Sequence, residues 1–388
     1  MKVGIIGITE NNFIRGVERY TLELVRYLAK VYPEIQVYLL RGKWQEYYDD
    51  LSKFGNVTLI TVENLRNSKF DRHFFIAFKL FDFIKRLGLS LDVIHYNNTL
   101  PILKKTPIPS VITIHDIAEF FVPEKYTLIQ RIYRKNMVKI SANNADLIIT
   151  VSNFSAQSLI DRLCIPKEKI QVTYLGIEHF KEKLVNLNKS SADDIGVEDF
   201  ILYWSVIEHS KGVIETVKAF NLLNKKYPYL KLLVIGKKGN AYRDFLNLIR
   251  GNKNIKYLGY VEDEKLINYI RNAKMVVFPS KYEGFGFPPL EAFLLNDNII
   301  TSNVTSLAEI TSDFALQIDP SNVQELALAI EKLLFRPRFF SKEEKDKILS
   351  RFSWFETAIG TYKVYEKLIF SKQQREGFKR CRENSGTS

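Results

Sequence analysis

Two glutamates, Glu283 and Glu291, stand eight positions apart in the segment "FPSKYEGFGFPPLEAF" of residues 278–293. Carboxylates are good acceptors for the vicinal hydroxyls of a sugar, and N–H groups at a helix start suit phosphates. A loop that offers both kinds of group could hold a nucleotide-sugar along its length. The spacing alone also fits a structural role, in which Glu291 complements a helix dipole and Glu283 is a solvated loop acid.

The residues around the two glutamates indicate how the chain would position them. The apolar run "KMVVFPS" predicts a strand ending at Ser280, and in open α/β sheets ligands bind beyond the carboxyl ends of the strands. Two glycines in the following loop let the backbone come close to a ligand. The Pro288–Pro289 pair favours a helix start. This pattern predicts Glu291 in the first helical turn, with both acids facing one cleft.

The rest of the chain alternates short apolar runs with helical periodicity, which is typical of a parallel sheet covered on both faces. Polar residues without periodicity interrupt this rhythm near 181–198, and it then restarts. We therefore predict two doubly wound α/β domains joined by one linker. The runs predicted as strands are "KVGIIGI", "IQVYLLR", "VTLITV", "DVIHYN", "SVITIHD" and "ADLIITVS" before the interruption, and "DFILYWSVI", "LKLLVIGK", "NIKYLGYV", "KMVVFPS", "NIITSNV" and "FALQIDP" after it.

The composition of the 388-residue chain is that of a globular protein, with 46% hydrophobic and 26% charged residues. Its two cysteines lie far apart without metal-type spacing, which favours a reducing setting. The N-terminus lacks the basic lead and apolar run of a signal peptide, and no stretch approaches the ~20 apolar residues that span a bilayer. We expect a cytoplasmic protein, either soluble or peripheral on the inner face of the plasma membrane.

The net charge of +12 suits three classes of partner, namely nucleic acid, an anionic membrane face and phosphorylated small molecules. A solvated basic surface without a partner is a further alternative. The sequence contains no zinc-finger spacing and no RNP-like aromatic signature, so we expect no nucleic-acid partner.

The stretch "KYTLIQRIYRKNMVK" of residues 125–139 contains five basic residues and no acid. Read as a helix, it separates apolar from basic side chains. Two interpretations remain open: a core-facing helix with a solvated basic side, or docking on an anionic membrane, where each basic residue contributes about 1 kcal/mol. The apolar face would consist of Ile129, Ile132, Tyr133 and Met137, and the basic face of Arg131, Arg134 and Lys135.

Several ordered segments resemble the retaining glycosyltransferases of family 4, which have the GT-B fold. Glu283-x7-Glu291 within "PSKYEGFGFPPLEA" is similar to the signature of that family. The similarity extends over nearly the whole chain, so the fold class implied is GT-B, with two Rossmann-like domains facing each other across a cleft. The other similar segments are "RGVERYTLEL", "VITIHDIAEFFVPEKY", "VSNFSAQSLIDRLCIPKEKIQVTYLGIE", "NIKYLGYVEDEKLINYIRNAKMVVFPS" and "SNVTSLAEITSDFALQIDP".

The break in periodicity and the resemblance together predict five segments along the chain. They are an N-terminal acceptor-side domain (1–182), a linker (183–198), a C-terminal nucleotide-sugar-binding domain (199–345), a helix that packs back on the N-terminal domain (346–372) and a flexible basic tail (373–388).

The resemblance also implies roles for individual residues. Glu291 would bind the donor ribose, and Glu283 would hold hydroxyls of the transferred sugar and act in catalysis. The backbone at Gly286 and Phe287 would approach the same sugar ring. His115, in "TIHD", would be a catalytic residue that lies near the reacting carbon and positions the sugar and the transition state.

A second set of residues would hold the diphosphate. Lys211, in "IEHSKGV", matches the family's lysine that neutralises the diphosphate, and Ser210 lies beside it. Gly16 either lets the first loop approach the phosphates or serves only as a glycine at a helix N-terminus. Oriented backbone N–H groups would complete the phosphate cradle. They would come from Thr305, Ser306 and Leu307.

Two departures from the family pattern concern these loops. Ser205–Val206 stands where the family often has glycine and arginine, and Ser210 occupies a position where relatives lacking that arginine have one. Lys211 would then be the only strong cation that its loop offers to the diphosphate. Asn296 and Asn298 replace the usual glycine and proline of a later turn, which they are expected to alter because Asn tolerates unusual φ values.

The reaction implied by the resemblance is transfer of a sugar from a nucleotide-diphosphate donor to a hydroxyl of a glycan or lipid-linked acceptor, with retained anomeric configuration. "GVERYTLEL" and "IHDIAEFFVPEKY" are similar to bacterial mannosyl- and rhamnosyltransferases of surface polysaccharides such as O-antigen, which favours GDP-mannose or a deoxysugar donor. No Asp-x-Asp occurs in the sequence, so we expect no metal and no other cofactor. The alternatives are a nucleotide-sugar epimerase, a sugar-phosphorolysing enzyme and a non-catalytic nucleotide-sugar-binding protein.

Overall fold

The computed structural model describes residues 1–187 and 199–385. The chain divides into two compact units, each with its own parallel β-sheet. The first unit consists of Met1–Phe120, Leu128–Gly176 and Ser353–Ser388, and the second of Phe121–Thr127 and Ile177–Phe352.

The first unit contains a seven-stranded sheet. Its strands are β1 (Lys2–Ile6), β2 (Gln36–Gly42), β3 (Val57–Val62), β4 (Val93–Tyr96), β5 (Ser110–Thr113), β6 (Leu147–Thr150) and β7 (Ile170–Val172). All neighbours pair in parallel in the order β3-β2-β1-β4-β5-β6-β7. The six strands predicted from apolar runs are confirmed. β7 was not predicted, because its three partly exposed residues give no apolar run.

The helices of this part of the chain are α1 (Gly16–Val31), α2 (Lys69–Phe74), α3 (Leu80–Arg86), α4 (Ala118–Phe121), α5 (Leu128–Asn144) and α6 (Asn153–Leu163). A π-helical turn, Phe75–Lys79, joins α2 to α3. Short three-ten helices cover Glu46–Lys53, Pro123–Lys125 and Lys167–Lys169. In α1 a buried stripe at intervals of four residues, Tyr20, Leu24 and Leu28, faces the interior.

The second unit contains a six-stranded parallel sheet. Its strands are β8 (Phe200–Trp204), β9 (Lys231–Ile235), β10 (Ile255–Gly259), β11 (Met275–Phe278), β12 (Ile299–Ser302) and β13 (Leu316–Ile318). They pair in the order β10-β9-β8-β11-β12-β13, so the strand order reverses between β8 and β11. Ligands bind at such a reversal in doubly wound sheets.

The helices of the second unit are α7 (Glu178–Leu187), α8 (Val213–Asn224), α9 (Tyr242–Ile249), α10 (Asp263–Asn272), α11 (Phe287–Phe293), α12 (Thr305–Ile310), α13 (Val323–Phe335) and α14 (Lys342–Leu349). A three-ten turn, His209–Lys211, follows β8. α7 occupies the first residues of the predicted linker at 183–198. The remaining linker residues, 188–198, lie outside the described residues.

The last helix is α15 (Trp354–Ser385), which packs against α1 in the first unit. Trp354 and Tyr365 are fully buried, and the Tyr365 hydroxyl makes a 2.6 Å hydrogen bond with Nδ1 of the buried His95 in β4. The helix continues through 373–385, where a flexible tail was predicted, and 386–388 lie outside the described residues.

Helix α5 does not have the core-facing apolar side of the first of the two interpretations left open by the sequence. Ile129 is 80% exposed and Ile132 is 52% exposed. Arg131 is partly buried and donates from Nε to the Glu119 carbonyl oxygen at 3.3 Å, and Lys135 lies 4.5 Å from the centroid of the Phe120 ring. The periodicity of the sequence correctly separated the apolar face from the basic face, but it did not indicate which of the two packs against the rest of the protein. Among the described residues, none of the helices combines the length and apolar character that a bilayer crossing requires.

Candidate functional site

The loop between β11 and α11 enters its helix at Gly286. This residue has a φ of +115°, which L side chains rarely adopt, and a Cβ atom there would lie 2.5 Å from the Leu307 side chain. The Pro288–Pro289 pair lies at the start of α11, as predicted. The predicted position of Glu291 is wrong, because it is the fifth residue of α11 and therefore lies in the second turn. The helix dipole acts mainly on the first turn, so it explains little of the role of Glu291.

Lys211 and Glu283 form an ion pair in the second unit. Nζ of Lys211 donates to Oε1 of Glu283 at 2.6 Å, and the two side chains are 18% and 20% exposed. Partial removal from water strengthens an ion pair relative to one on an open surface. The pair therefore fixes an ammonium and a carboxylate together while each keeps some access to solvent.

The backbone around Lys211 brings it next to the β11 loop. Its carbonyl oxygen accepts a hydrogen bond from the buried Tyr203 hydroxyl at 3.1 Å. The next residue, Gly212, has a φ of +71°, and a Cβ atom there would overlap the carbonyl oxygen of Pro279. Glycine at this position thus permits the close approach of the two loops.

The start of α12 contacts the same loop. Oγ of Ser306 lies 2.9 Å from the carbonyl oxygens of both Glu283 and Phe285 and donates to them in a shared hydrogen bond. The Glu283 N–H donates to Oγ1 of Thr305 at 3.3 Å. Thr305 has a φ of +58°, which is strained for a β-branched residue. Such strain often marks functional sites, and the N–H groups in the first turn of α12 have no acceptor within the helix.

Glu291 has a partner that the sequence did not indicate. Nε2 of His179, in α7, lies 3.3 Å from Oε1 of Glu291, and both side chains are mostly buried. The His179 ring also packs edge-on against Phe287, with centroids 5.6 Å apart and planes at 87°. The only sequence signal was its place directly after the family-like "TYLGIE", and no role was assigned to it there.

The turn that contains Ser210 has a second cation nearby. Nζ of Lys125 lies 3.5 Å from Oε2 of Glu208, in the segment just before Ser210. Ser210 itself is buried, and its carbonyl oxygen accepts a hydrogen bond from the Lys281 N–H at 2.8 Å. The Ser205 carbonyl occupies the space that a side chain at Gly236 would need. Lys125 belongs to the family-like segment "FFVPEKY", and no local pattern in the sequence indicated that it lies beside this turn.

The two asparagines that replace glycine and proline act through their side chains. Nδ2 of Asn296 donates to the carbonyl oxygens of Ile270 and Ala273 at 2.9 and 2.7 Å, and its Oδ1 accepts from the Asn298 N–H. Neither asparagine has a positive φ. The expected use of unusual φ values is therefore wrong, and the turn is held by amide hydrogen bonds instead.

The other two predicted residues, His115 and Gly16, lie in the first unit. Nε2 of His115 lies 3.1 Å from the Asn97 carbonyl oxygen, which can only accept, so Nε2 carries the hydrogen. Burial lowers the pKa of His115 and favours this neutral form, with a lone pair on Nδ1. The ring packs edge-on against Tyr20 at 4.8 Å. Gly16 is the first residue of α1, and a Cβ atom there would meet no atom within 4 Å in residues 1–187 and 199–385.

Family models match both parts of the chain. Residues 14–179 match the model described as "Glycosyltransferase Family 4", and residues 189–348 match the model described as "Glycosyl transferases group 1". These two ranges contain most of the two parallel sheets and all of the predicted site residues. The matches agree with the family predicted from the motifs.

Individual relatives and structures agree with this assignment. O-antigen chain mannosyltransferase B of Escherichia coli is 29% identical over 350 residues, covering 82% of this chain and 86% of the relative. A capsular polysaccharide biosynthesis glycosyltransferase of Staphylococcus aureus is 26% identical over 341 residues, covering 84% and 89%. The structure of sucrose-phosphate synthase from Thermosynechococcus elongatus matches with a TM-score of 0.70 at 18% identity, over 95% of this chain and 99% of that one. The similarity to this last structure confirms the predicted GT-B fold class.

Proposed function

Because the chain belongs to the glycosyltransferases of family 4 with the GT-B fold, we propose that it transfers a hexose from a nucleotide-diphosphate donor to a hydroxyl group of a glycan or lipid-linked acceptor, with retained configuration. The observation that carries this proposal is the Lys211–Glu283 pair at 2.6 Å. It provides one group for a diphosphate and one for sugar hydroxyls at the point where the strand order of the second sheet reverses.

The favoured sugar is mannose, with a deoxysugar as the alternative, and the favoured process is surface polysaccharide synthesis. The relative from Escherichia coli is named an O-antigen chain mannosyltransferase, and the Staphylococcus aureus relative a capsule glycosyltransferase. Both names describe polymers assembled on bacterial surfaces. GDP-mannose is therefore the first donor to test.

Lys211 would stabilise the charge that develops on the leaving diphosphate. As the bond from the sugar to the diphosphate breaks, negative charge grows on the phosphate oxygens, and a fixed ammonium nearby lowers the energy of that state. The first-turn N–H groups of Thr305, Ser306 and Leu307 would add oriented partial positive charge. Glu283 would hold sugar hydroxyls as an acceptor, while its ion pair with Lys211 keeps both groups in place before the donor binds.

His115 would serve the sugar as a neutral hydrogen-bond acceptor. The reacting sugar gains positive, oxocarbenium-like charge, which an imidazolium ion would repel. Burial lowers the pKa of His115, and Nε2 donates to the Asn97 carbonyl, so the lone pair on Nδ1 is the available acceptor. A hydroxyl of the donor sugar would donate to it, which positions the sugar without adding positive charge.

Glu291 would bind the ribose hydroxyls of the donor, and His179 would hold the Glu291 carboxylate in orientation through their 3.3 Å contact. Gly286 and Phe287 would place backbone against the sugar ring. We propose that no metal takes part, since the sequence contains no Asp-x-Asp and Lys211 can neutralise the diphosphate. Gly16 would permit the first loop to approach the phosphates, because no described residue lies within 4 Å of a Cβ atom placed there.

The test is a donor panel assayed with and without acceptors, starting with GDP-mannose and a lipid-linked or oligosaccharide acceptor. We expect acceptor-dependent release of nucleoside diphosphate that persists in excess chelator, and NMR of the product should show the anomeric configuration of the donor. An inverted product would contradict retention. Donor conversion to an epimer without acceptor would favour an epimerase, and tight donor binding without turnover would favour a non-catalytic binding protein.

A further inference from the structure

Three phenylalanines form an exposed ladder on the first unit. Phe70, Phe74 and Phe78 follow one another at intervals of four residues along α2 and the π-helical turn, and they are 76%, 41% and 62% exposed. Ring centroids are 6.0 Å apart for the first pair and 5.2 Å apart for the second. Contiguous exposed apolar side chains of this size mark interaction surfaces.

Helix α5 extends this surface. Its outward side carries Ile129 and Ile132, whereas Val138 and Ala142 are buried. The Tyr133 hydroxyl of α5 makes a 2.6 Å hydrogen bond with Nδ1 of His73 in α2, which joins the two helices. We call the combined patch the aromatic-basic surface. It consists of Lys69, Phe70, Phe74, Phe78, Lys79, Ile129, Ile132 and Tyr133.

Positive charge surrounds the apolar side chains. Residues 125–139 contain five basic residues and no acid, and residues 69–86 contain five lysines and arginines against two aspartates. Nζ of Lys69 lies 4.7 Å from the centroid of the Tyr133 ring, and Nζ of Lys79 lies 5.3 Å from that of Phe74. The cations are therefore placed among the exposed rings and not apart from them.

We propose that the aromatic-basic surface docks the protein on an anionic lipid bilayer. Exposed phenylalanines and isoleucines next to lysines and arginines match the interface of such a bilayer, where apolar side chains enter the acyl boundary and cations meet the headgroups. A second copy of this chain would bring a surface of the same charge and be repelled. The docking concerns the first unit alone and does not depend on the reaction proposed above.

The test is co-sedimentation of the full chain with vesicles, without donor or acceptor. We expect binding to vesicles of phosphatidylcholine with phosphatidylglycerol, little binding to phosphatidylcholine alone, and weaker binding as salt screens the charges.

The triple variant Phe70→Ser, Phe74→Ser, Phe78→Ser should bind at least about tenfold more weakly, since burial of even one such ring is worth that much. The double variant Lys69→Gln, Lys79→Gln removes both cations of the surface and should show a loss of about tenfold or more, because each cation contributes about fivefold.

Matched controls remove equal numbers of exposed side chains from the second unit. The variant Tyr229→Ser, Leu328→Ser, Phe339→Ser is the control for the phenylalanines, and the variant Lys253→Gln, Lys256→Gln is the control for the lysines. Both should bind like the unaltered chain.

The single variant Phe70→Ser keeps the test valid if a triple variant folds poorly, because this ring is the most exposed of the three. Absence of binding to anionic vesicles at low salt, or equal binding by the aromatic variants, would overturn the proposal. So would a dimer that Phe70→Ser disrupts in a chain that binds no vesicles, since that result assigns the surface to a second copy.

Discussion

Next to its central strands the second unit carries an ion pair, whereas the central strands of the first unit carry two buried, neutral imidazoles. Lys211 pairs with Glu283 beside the loops after β8 and β11. In the first unit His95 lies within β4 and His115 follows β5, and burial lowers the pKa of both. The same sheet architecture thus positions a charged pair in one unit and two neutral imidazoles in the other. In the proposed reaction, the charged pair would meet a leaving group that becomes anionic, and a neutral imidazole would avoid repulsion of a sugar that becomes cationic.

The largest expected effect comes from removing the ammonium of Lys211. Lys211→Ala should lower the turnover of the donor by on the order of 100-fold, comparable to the loss of an oxyanion donor, because the leaving diphosphate would then lack the cation proposed to stabilise its charge. The measurement is kcat at saturating donor and acceptor.

The neighbouring lysine provides the control for this variant. Lys281 lies in the same loop as Glu283, but its Nζ pairs with Glu215 at 2.8 Å, so Lys281→Ala should leave kcat within about twofold. Adding Ser210→Arg to Lys211→Ala should restore part of the rate. A fully active Lys211→Ala enzyme would transfer the role to another cation, and Lys125, near Glu208, would be the first to examine.

The second prediction concerns the free energy of unfolding and not the catalytic rate. Gly212→Ala should lower the free energy of unfolding by about 2 kcal/mol or more, because the residue has a φ of +71° and the new methyl group would overlap the Pro279 carbonyl. Thermal unfolding would measure this loss.

Gly16 gives the contrast in the first unit. In the part of the chain that the structure describes, no atom lies within 4 Å of a Cβ atom at this position, so Gly16→Ala should change stability by less than about 0.5 kcal/mol. If the first loop approaches the donor phosphates, the same variant should still raise the KM for donor. Unchanged kinetics would leave Gly16 as an ordinary residue at a helix start.

The strands were predictable because a buried parallel strand is a continuous apolar run, a signal that needs no knowledge of neighbours. β7 was not predicted because none of its three residues is buried, and they form no such run. The orientation of α5 could not be predicted, since periodicity shows which residues share a face but not which face is covered. His179 was missed for a related reason: its partner Glu291 lies 112 positions away, and only the fold brings them together.

The buried imidazole of the first unit should make stability depend on pH. The pKa of His95 is about 3 in the folded protein, against an ordinary value of 6.5, because burial disfavours its charged form. As pH falls below about 6.5 the unfolded chain binds this proton and the folded chain does not, so stability is lost. Between pH 7 and pH 5 the loss from this one group should be about 2 kcal/mol.

Two variants separate this titration from the hydrogen bonds of His95. His95→Gln removes the titrating group. Between pH 7 and pH 5 the free energy of unfolding, measured with urea, should therefore fall by about 2 kcal/mol less in this variant than in the unaltered chain. Tyr365→Phe removes the hydrogen bond to Nδ1 of His95 but removes no group that titrates between pH 5 and pH 7. It should therefore lower the free energy of unfolding equally at both pH values. Equal pH dependence in all three proteins would contradict a neutral His95.

The smallest expected effects compare the two glutamates of the second unit, Glu283 with its partner Lys211 and Glu291 with its partner His179. Glu291→Ala should weaken binding of the free nucleotide by about tenfold, through lost hydrogen bonds from the ribose to a charged acceptor. Glu283→Ala should mainly lower kcat, because it is proposed to hold the transferred sugar. Calorimetric titration of nucleoside diphosphate, beside steady-state kinetics, distinguishes the two.

His179 should act only through Glu291. Its Nε2 lies 3.3 Å from Oε1 of that carboxylate, and without this contact the carboxylate would sample orientations that do not fit the ribose. His179→Ala should therefore weaken nucleotide binding by about threefold to fivefold, less than Glu291→Ala, and leave kcat at saturating donor unchanged. In the Glu291→Ala background the same substitution should have no further effect, because contacting residues in one network are not additive. An additive loss in the double variant would show that His179 contacts the nucleotide directly, and an unchanged single variant would reduce the pair to a structural contact.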